Sequence, residues 1–225
     1  MLSRRFIVST LAIVTASFVA IAGKDAVACG GEWYPVIRVD PRIHGVAQAE
    51  KALNEGRAAA AGASVVRMIP HIRSLDGTKN ALIARAERVL ALALARNAGA
   101  LPSEREIPRE VQSTWLGKDA AERALNLSWA VRVLERQSDE NKDDPALLTD
   151  LAEAMAEVDG RRERARDILE ALAKSDLVST PQGYRALAEL RRRAGDAHGE
   201  TAALERCKAL SGEGAARTCR ITLQG

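Results

Sequence analysis

DPALLTDLAEAMAEVDGRRERARDILEALAKSDL, residues 144–177, is followed after Val178-Ser179 by TPQGYRALAELRRRAGDAHGETAALERCKAL, residues 180–210. The two stretches are copies of one pattern. Pro145 and Pro181, Leu148 and Tyr184, Leu151 and Leu187, and Ala152 and Ala188 pair at a spacing of 36, and Gly160 and Gly195 at 35. Each copy opens on a capping residue and a proline, Asp144-Pro145 and Thr180-Pro181. The cap accepts orphan amide protons, and proline fits a first helical turn that has no bond to lose. Each then runs about four turns to a glycine-bearing bend and begins a second helix. A small residue in each first helix, Ala152 or Ala188, lets the partner helix come close.

Upstream the same reading gives more helices. In 118–137, Ala121, Leu125, Trp129 and Val133 fall four apart and set the expected inner face, with Ala130 and Leu134 beside them. Asn126-Leu127-Ser128 matches a glycosylation sequon, but mid-helix it reads as chance. Residues 78–97 are the most apolar run after the N-terminus, with Leu82, Ala86, Val89, Leu90, Ala93 and Leu94 on one face and Leu92 widening it. That predicts a central helix covered on more than one side. Arg85, Glu87, Arg88 and Arg96 interrupt it too densely for a membrane span. Residues 43–55 and 57–68 form a first pair around Gly56, facing inward through Val46, Ala49, Leu53, Val65 and Met68. Residues 99–117 hold two prolines and no clean period, and are expected to be an excursion pinned by Trp115 and Leu116. Ser138 to Asp144 reads as a solvated linker.

This pattern resembles the tetratricopeptide repeat (TPR), a helix pair of about 34 residues that stacks into a superhelix. Leu148, Leu151, Ala152 and Met155 stand at that family's signature positions in the first copy, and Tyr184, Leu187 and Ala188 in the second. Ala165, Leu169 and Leu172, then Leu204 and Cys207, take the core places of the second helices. The first copy departs by one extra residue near Val158-Asp159-Gly160, and the second by Arg191 and Glu200 at signature positions. The resemblance is clear over 144–210 and weak over 43–137. It implies an all-α fold of antiparallel helix hairpins stacked as a short TPR-like α-solenoid. The expected layout is pairs at 43–70, 78–137 with an insertion at 98–117, 144–176 and 180–211, then a tail at 212–225.

The resemblance also implies a concave face that binds an extended peptide or partner segment. Carried over position by position, that face holds Thr149, Glu153 and Glu157, then Gln182, Arg185, Glu189, Arg192 and Arg193. The same residues read equally as the solvated side that every amphipathic helix has.

Of the 225 residues, 47% are hydrophobic and only 3% aromatic, which favours helix over sheet. At the N-terminus, MLSRR, the apolar run FIVSTLAIVTASFVAIA and Ala26-Val27-Ala28 read as a signal peptide over 1–28. Ser3-Arg4-Arg5-Phe6 leaves the general and twin-arginine export routes both open, and an uncleaved segment would be a membrane anchor. The expected destination is the periplasm or the exterior. Loss of Arg4, Arg5, Lys24 and Asp25 takes the formal charge from +3 to about +1, which removes any electrostatic case for nucleic acid or an anionic membrane surface. Residues 29–42, rich in Gly, Pro and aromatics, read as an extended arm whose Trp33 and Tyr34 pack on the body.

In an oxidising compartment Cys207 and Cys219 are expected to pair and staple the tail to the last helix. Cys29 is left over. Ala26-Val27-Ala28-Cys29 resembles a lipobox without its usual leucine, so lipidation of Cys29 stands beside a paired or free cysteine. His44, His71 and His198 lie far apart with no second ligand at metal spacing, and no phosphate loop, dinucleotide fingerprint, haem attachment or nucleophile elbow is present. The expectation is therefore a non-enzymatic interaction or scaffold protein of the cell envelope, with no metal or cofactor and another protein or peptide as partner. Two alternatives stand beside it: a hydrolase-like envelope enzyme with dispersed acidic residues, and a lipid-anchored assembly factor.

Overall fold

The structure, a computed structural model, describes residues 40–220 apart from 78, 102–106, 108 and 213–214. The expected signal peptide, Trp33 and Tyr34 of the expected arm, and Cys29 lie outside the described residues. The chain forms helices α1 (Pro41–Asn54), α2 (Ala58–Met68), α3 (Ala81–Arg96), α4 (Arg109–Trp115), α5 (Ala120–Glu140), α6 (Pro145–Ala156), α7 (Arg162–Lys174), α8 (Pro181–Arg193), α9 (Ala197–Ser211) and α10 (Ala215–Thr218), with a 3-10 turn at Ile72–Leu75. The fold is all-α, and its helices pack largely in sequential pairs: α1 with α2, α6 with α7, α8 with α9. Helix α3 touches α1, α2, α5 and α6, and is the member about which the others gather.

The boundaries follow from end chemistry. Asp144 accepts from the amides of Ala146 and Leu147, and Thr180 from that of Gly183, so the two expected caps start α6 and α8. Asp40 and Asn80 likewise cap α1 and α3, Asp119 caps α5, and Asp196 caps α9. Helices α6 and α8 are both followed by turns with a glycine in the left-handed region, Gly160 at φ 76° and Gly195 at φ 79°, which a side chain would strain. The arm ends earlier than expected, because Asp40 caps a helix already begun at Pro41. The linker at 138–144 is shorter than expected, since α5 runs to Glu140 and buries Ser138.

Helix α3 is buried along almost its whole circumference from Ile83 to Ala95, as its apolar breadth requires. The inner face of α5 is as expected at Trp129, Ala130, Val133 and Leu134 but differs in its first turns. Ala121 and Leu125 face solvent, Leu125 being 64% exposed, while Asn126, Leu127, Trp129, Ala130, Val133 and Leu134 are buried. The reason lies in the excursion before α5. Trp115 packs edge-on to Trp129 with ring centres 5.2 Å apart, and the Arg73 guanidinium lies 4.2 Å over the Trp115 ring. Asn126 completes this node, donating to the Gly99 carbonyl at 2.8 Å and accepting from Arg73 at 2.6 Å. A four-residue period cannot see a polar residue that the fold needs inside. The buried amide of Asn126 also rules out a glycan there.

Buried charges join the halves. Arg88 of α3 meets Asp150 of α6 at 2.6 Å, and Arg136 of α5 donates to Glu87 of α3 at 2.6 Å and also to Asp76. Burial pushes the Glu87 carboxyl up to about 7, with Glu140 adding to the shift. Burial pushes Asp150 up to about 6 against the pull of Arg88, with Glu153 reinforcing the rise. Among the described residues no helix is long and apolar enough to cross a membrane. Cys207 and Cys219 are joined as expected, which is consistent with an oxidising compartment outside the cytoplasm.

Two outcomes test this packing. Gly183 sits where a Cβ would lie 2.5 Å from Thr149 Cγ2 and 2.9 Å from Val178 Cγ1. Helix propensity favours Gly183→Ala, but overpacking outweighs it, so the variant should lose about 1–3 kcal/mol in chemical denaturation. A carboxyl with a raised folded pKa holds its proton more tightly in the fold. The resulting penalty is absent below the ordinary value of 4.5 and grows as pH rises toward 7. The melting midpoint should therefore fall between these pH values, and Glu87→Gln should flatten that fall.

Candidate functional site

A cleft of about 920 Å³ opens where several helix ends meet: the α1–α2 turn with the first turn of α2, the end of α3, the start of α8, the end of α9, and α10. Its lining includes Arg57, Arg96, Asn97, Thr180, Gln182, Arg185, Ser211 and Arg217. The volume is within the range of sites that take a small molecule, while the lining is more polar than such sites usually are. A second cleft of about 200 Å³ shares Arg96, Asn97 and Arg185 with it and adds Glu157 and Glu189.

Each wall is held in place by identifiable bonds. Thr149 of α6 donates its hydroxyl to the Pro145 carbonyl at 2.7 Å and accepts from the Ser179 amide at 3.3 Å, which fixes the chain as it enters α8. Asn97 donates to the Ala93 carbonyl at 2.7 Å and closes α3. The Cys207–Cys219 bond holds the segment carrying α10 against α9, and Ser211 adds a hydrogen bond to the Cys207 carbonyl at 2.9 Å.

The floor is Arg96. Its guanidinium meets Glu153 in two bonds, 2.7 and 3.1 Å, and donates to the Leu53 carbonyl at 3.2 Å. Both side chains are buried, 9% and 2% exposed. Burial opposes the charge on Arg96, but the charge and hydrogen bonds of Glu153, with Asp150 beyond, hold its pKa above the ordinary arginine value.

The face expected from the repeat resemblance is divided by the structure. Gln182 and Arg185 line the large cleft, and Glu157, Arg185 and Glu189 line the small one. Thr149 and Glu153 do not stand on an open face. Both are buried, the first pinning the α8 entry and the second paired with Arg96. Arg193 is exposed and pairs with Glu189 at 2.7 Å, while half-buried Arg192 lines neither cleft. Arg57, Arg96, Asn97 and Arg217 went unassigned in the sequence. Gly56-Arg57 echoes Gly160-Arg161, but only the fold shows that its turn faces α8 across a cleft.

Electrostatics differ between the two clefts. Burial raises the pKa of Glu157, and the neighbouring Glu189 carboxylate raises it further, against the pull of Arg185. The large cleft is rich in arginine. Arg57 is held by Glu55 at 2.5 Å and Arg96 by Glu153, whereas Arg185 and Arg217 form no ion pair among the described residues. Among the described residues no group of three or more His, Cys, Asp or Glu could hold a metal ion. His44 contacts Gln48 at 2.8 Å, and His71 and His198 are exposed.

Comparison of the chain with protein-family models, with curated proteins and with solved structures finds no match.

Removing one partner of the Arg96–Glu153 pair leaves a buried charge alone, which costs more than the pair is worth. Glu153→Ala should lose about 3–5 kcal/mol by urea denaturation. Arg96→Met combined with Glu153→Leu should recover most of that loss.

Proposed function

We propose that this chain is a non-enzymatic, TPR-like interaction module of the cell envelope that seats a segment of another protein in the large cleft. The observation that carries this reading is the cleft itself. Two residues assigned to binding by the repeat resemblance, Gln182 and Arg185, stand in its wall, although most of the rest of the lining comes from the first helix pair and from α3, α9 and α10. The repeat reading is supported by the matched capped starts of α6 and α8, the left-handed Gly160 and Gly195, and the full burial of Ala152 and Ala188. The disulfide supports an exported destination.

A hydrolase-like alternative would draw on the small cleft, where Glu157 and Glu189 converge on Arg185. A raised carboxyl near a second carboxyl is an arrangement that acid–base chemistry uses. A lipid-anchored assembly factor would use the same large cleft from a membrane-tethered position, through an acylated Cys29.

Site-directed photocrosslinking in the native envelope separates docking from a merely solvated surface. A crosslinking residue at Asn54 or Ser179, which line the large cleft from different elements, should capture one common protein, while the same residue at Glu163, exposed on α7, should not. Arg185→Glu should reduce the yield at both cleft positions. Equal capture at all three positions refutes the reading.

A further inference from the structure

Helix α2 begins differently from most of its neighbours. Asp40, Asn80, Asp119, Asp144, Thr180 and Asp196 each place a side-chain oxygen on first-turn amides of their helices. The first residue of α2 follows Arg57, which makes no such bond, and the first turn carries no acid. An α-helix leaves its first amides without internal acceptors. Among the described residues nothing else accepts from Ala58, Ala59 or Ala60. These three residues line the large cleft.

An independent observation lies across the cleft. Gln182 is nine-tenths buried and lines the same space, yet its side-chain amide has no hydrogen-bond partner among the described residues. Its amide atoms are not among the fully buried polar atoms, so what little of this side chain is exposed leaves the amide free to bond a group in the cleft. Arg185 and Arg217 lie in the same lining without an ion pair among the described residues. The carboxylate at the rim, Glu55, is already held by Arg57 at 2.5 Å. Donors without a protein acceptor thus line the cleft from three helices: backbone amides at the positive end of the eleven-residue α2, the Gln182 amide and Arg185 guanidinium of α8, and the Arg217 guanidinium of α10.

We propose that the large cleft is an oxyanion-binding site. A carboxylate or phosphate group sits at the amides of Ala58, Ala59 and Ala60, Arg185 and Arg217 supply opposing charge, and Gln182 donates its amide. Helix N-termini bind such groups because their amides and the helix dipole both favour negative charge. This goes beyond the docking reading, since the anion can be carried by a side chain of a docked segment or by a small molecule.

The test is titration calorimetry on the mature, oxidised chain at constant ionic strength, with inorganic phosphate in one arm and a blocked hexaglutamate peptide in the other. Wild type should bind at least one probe, and Arg185→Gln and Arg217→Gln should each weaken that binding about tenfold. Ala59→Asp places a carboxylate on the same helix end. It should raise the melting midpoint of the free protein while weakening the probe about tenfold, a pair of effects that general damage would not produce. Binding of phosphate alone assigns a small anion and leaves the protein-docking reading without support. Binding of the peptide alone assigns a carboxylate on a segment of chain. Failure of wild type to bind either probe, or equal affinity in wild type and all three variants, overturns the site.

Discussion

The Arg96–Glu153 pair is the contact on which the arrangement of this molecule depends. It joins α3 to α6, and through the Leu53 carbonyl it also reaches the last turn of α1. A buried pair of this kind is weak evidence for stability, because desolvation consumes much of the Coulomb gain. Its effect is on geometry. A guanidinium with two fixed carboxylate bonds and a carbonyl bond has one satisfactory position, so α1, α3 and α6 can meet in only one register. Arg88–Asp150 repeats the device two turns earlier on α3, with Asp150 one helical step before Glu153 on α6. Together they make the face between the upstream helices and the repeats polar and specific, where an apolar seam would allow sliding.

Helix α6 is thereby packed against α3 of the upstream helices as well as against α5, α7 and α8. The cost is that the first copy's polar positions are no longer at a surface. Thr149, Asp150 and Glu153 are all buried, and each is bonded to something outside its own repeat or its own first turn.

Helix positions, caps and bends were legible in the sequence because they rest on local chemistry: Asp144-Pro145, Thr180-Pro181, Gly160, Gly195, and the apolar breadth of α3. The Cys207–Cys219 pairing was legible because two cysteines so close in sequence have little choice. The direction of a polar residue was not legible. Glu153 looks like any solvated glutamate until Arg96, far upstream, is brought against it. Asn126 looked like part of a chance sequon and is instead the bridge between Arg73 and Gly99. Of the candidate cleft, only Gln182 and Arg185 were named for binding from the sequence. Gln182 and Arg185 belong to the repeat pattern, whereas Arg57 and Arg217 stand beside a turn and in a tail that no pattern marked.

The tail shows how covalent and non-covalent terms divide the work. Helix α10 has four residues, far below the length at which a helix persists alone in water. Its packing partners are α9 and α8, and Cys219 follows directly after it. Joining Cys219 to Cys207, which is fully buried in α9, removes most of the freedom the tail would otherwise have, an effect of about 3 kcal/mol for a loop of this size in the chain-entropy account. Nothing else so short could keep Arg217 at the wall of the cleft. An oxidising environment thus supports this wall, and the bond that is consistent with such an environment also completes the cleft.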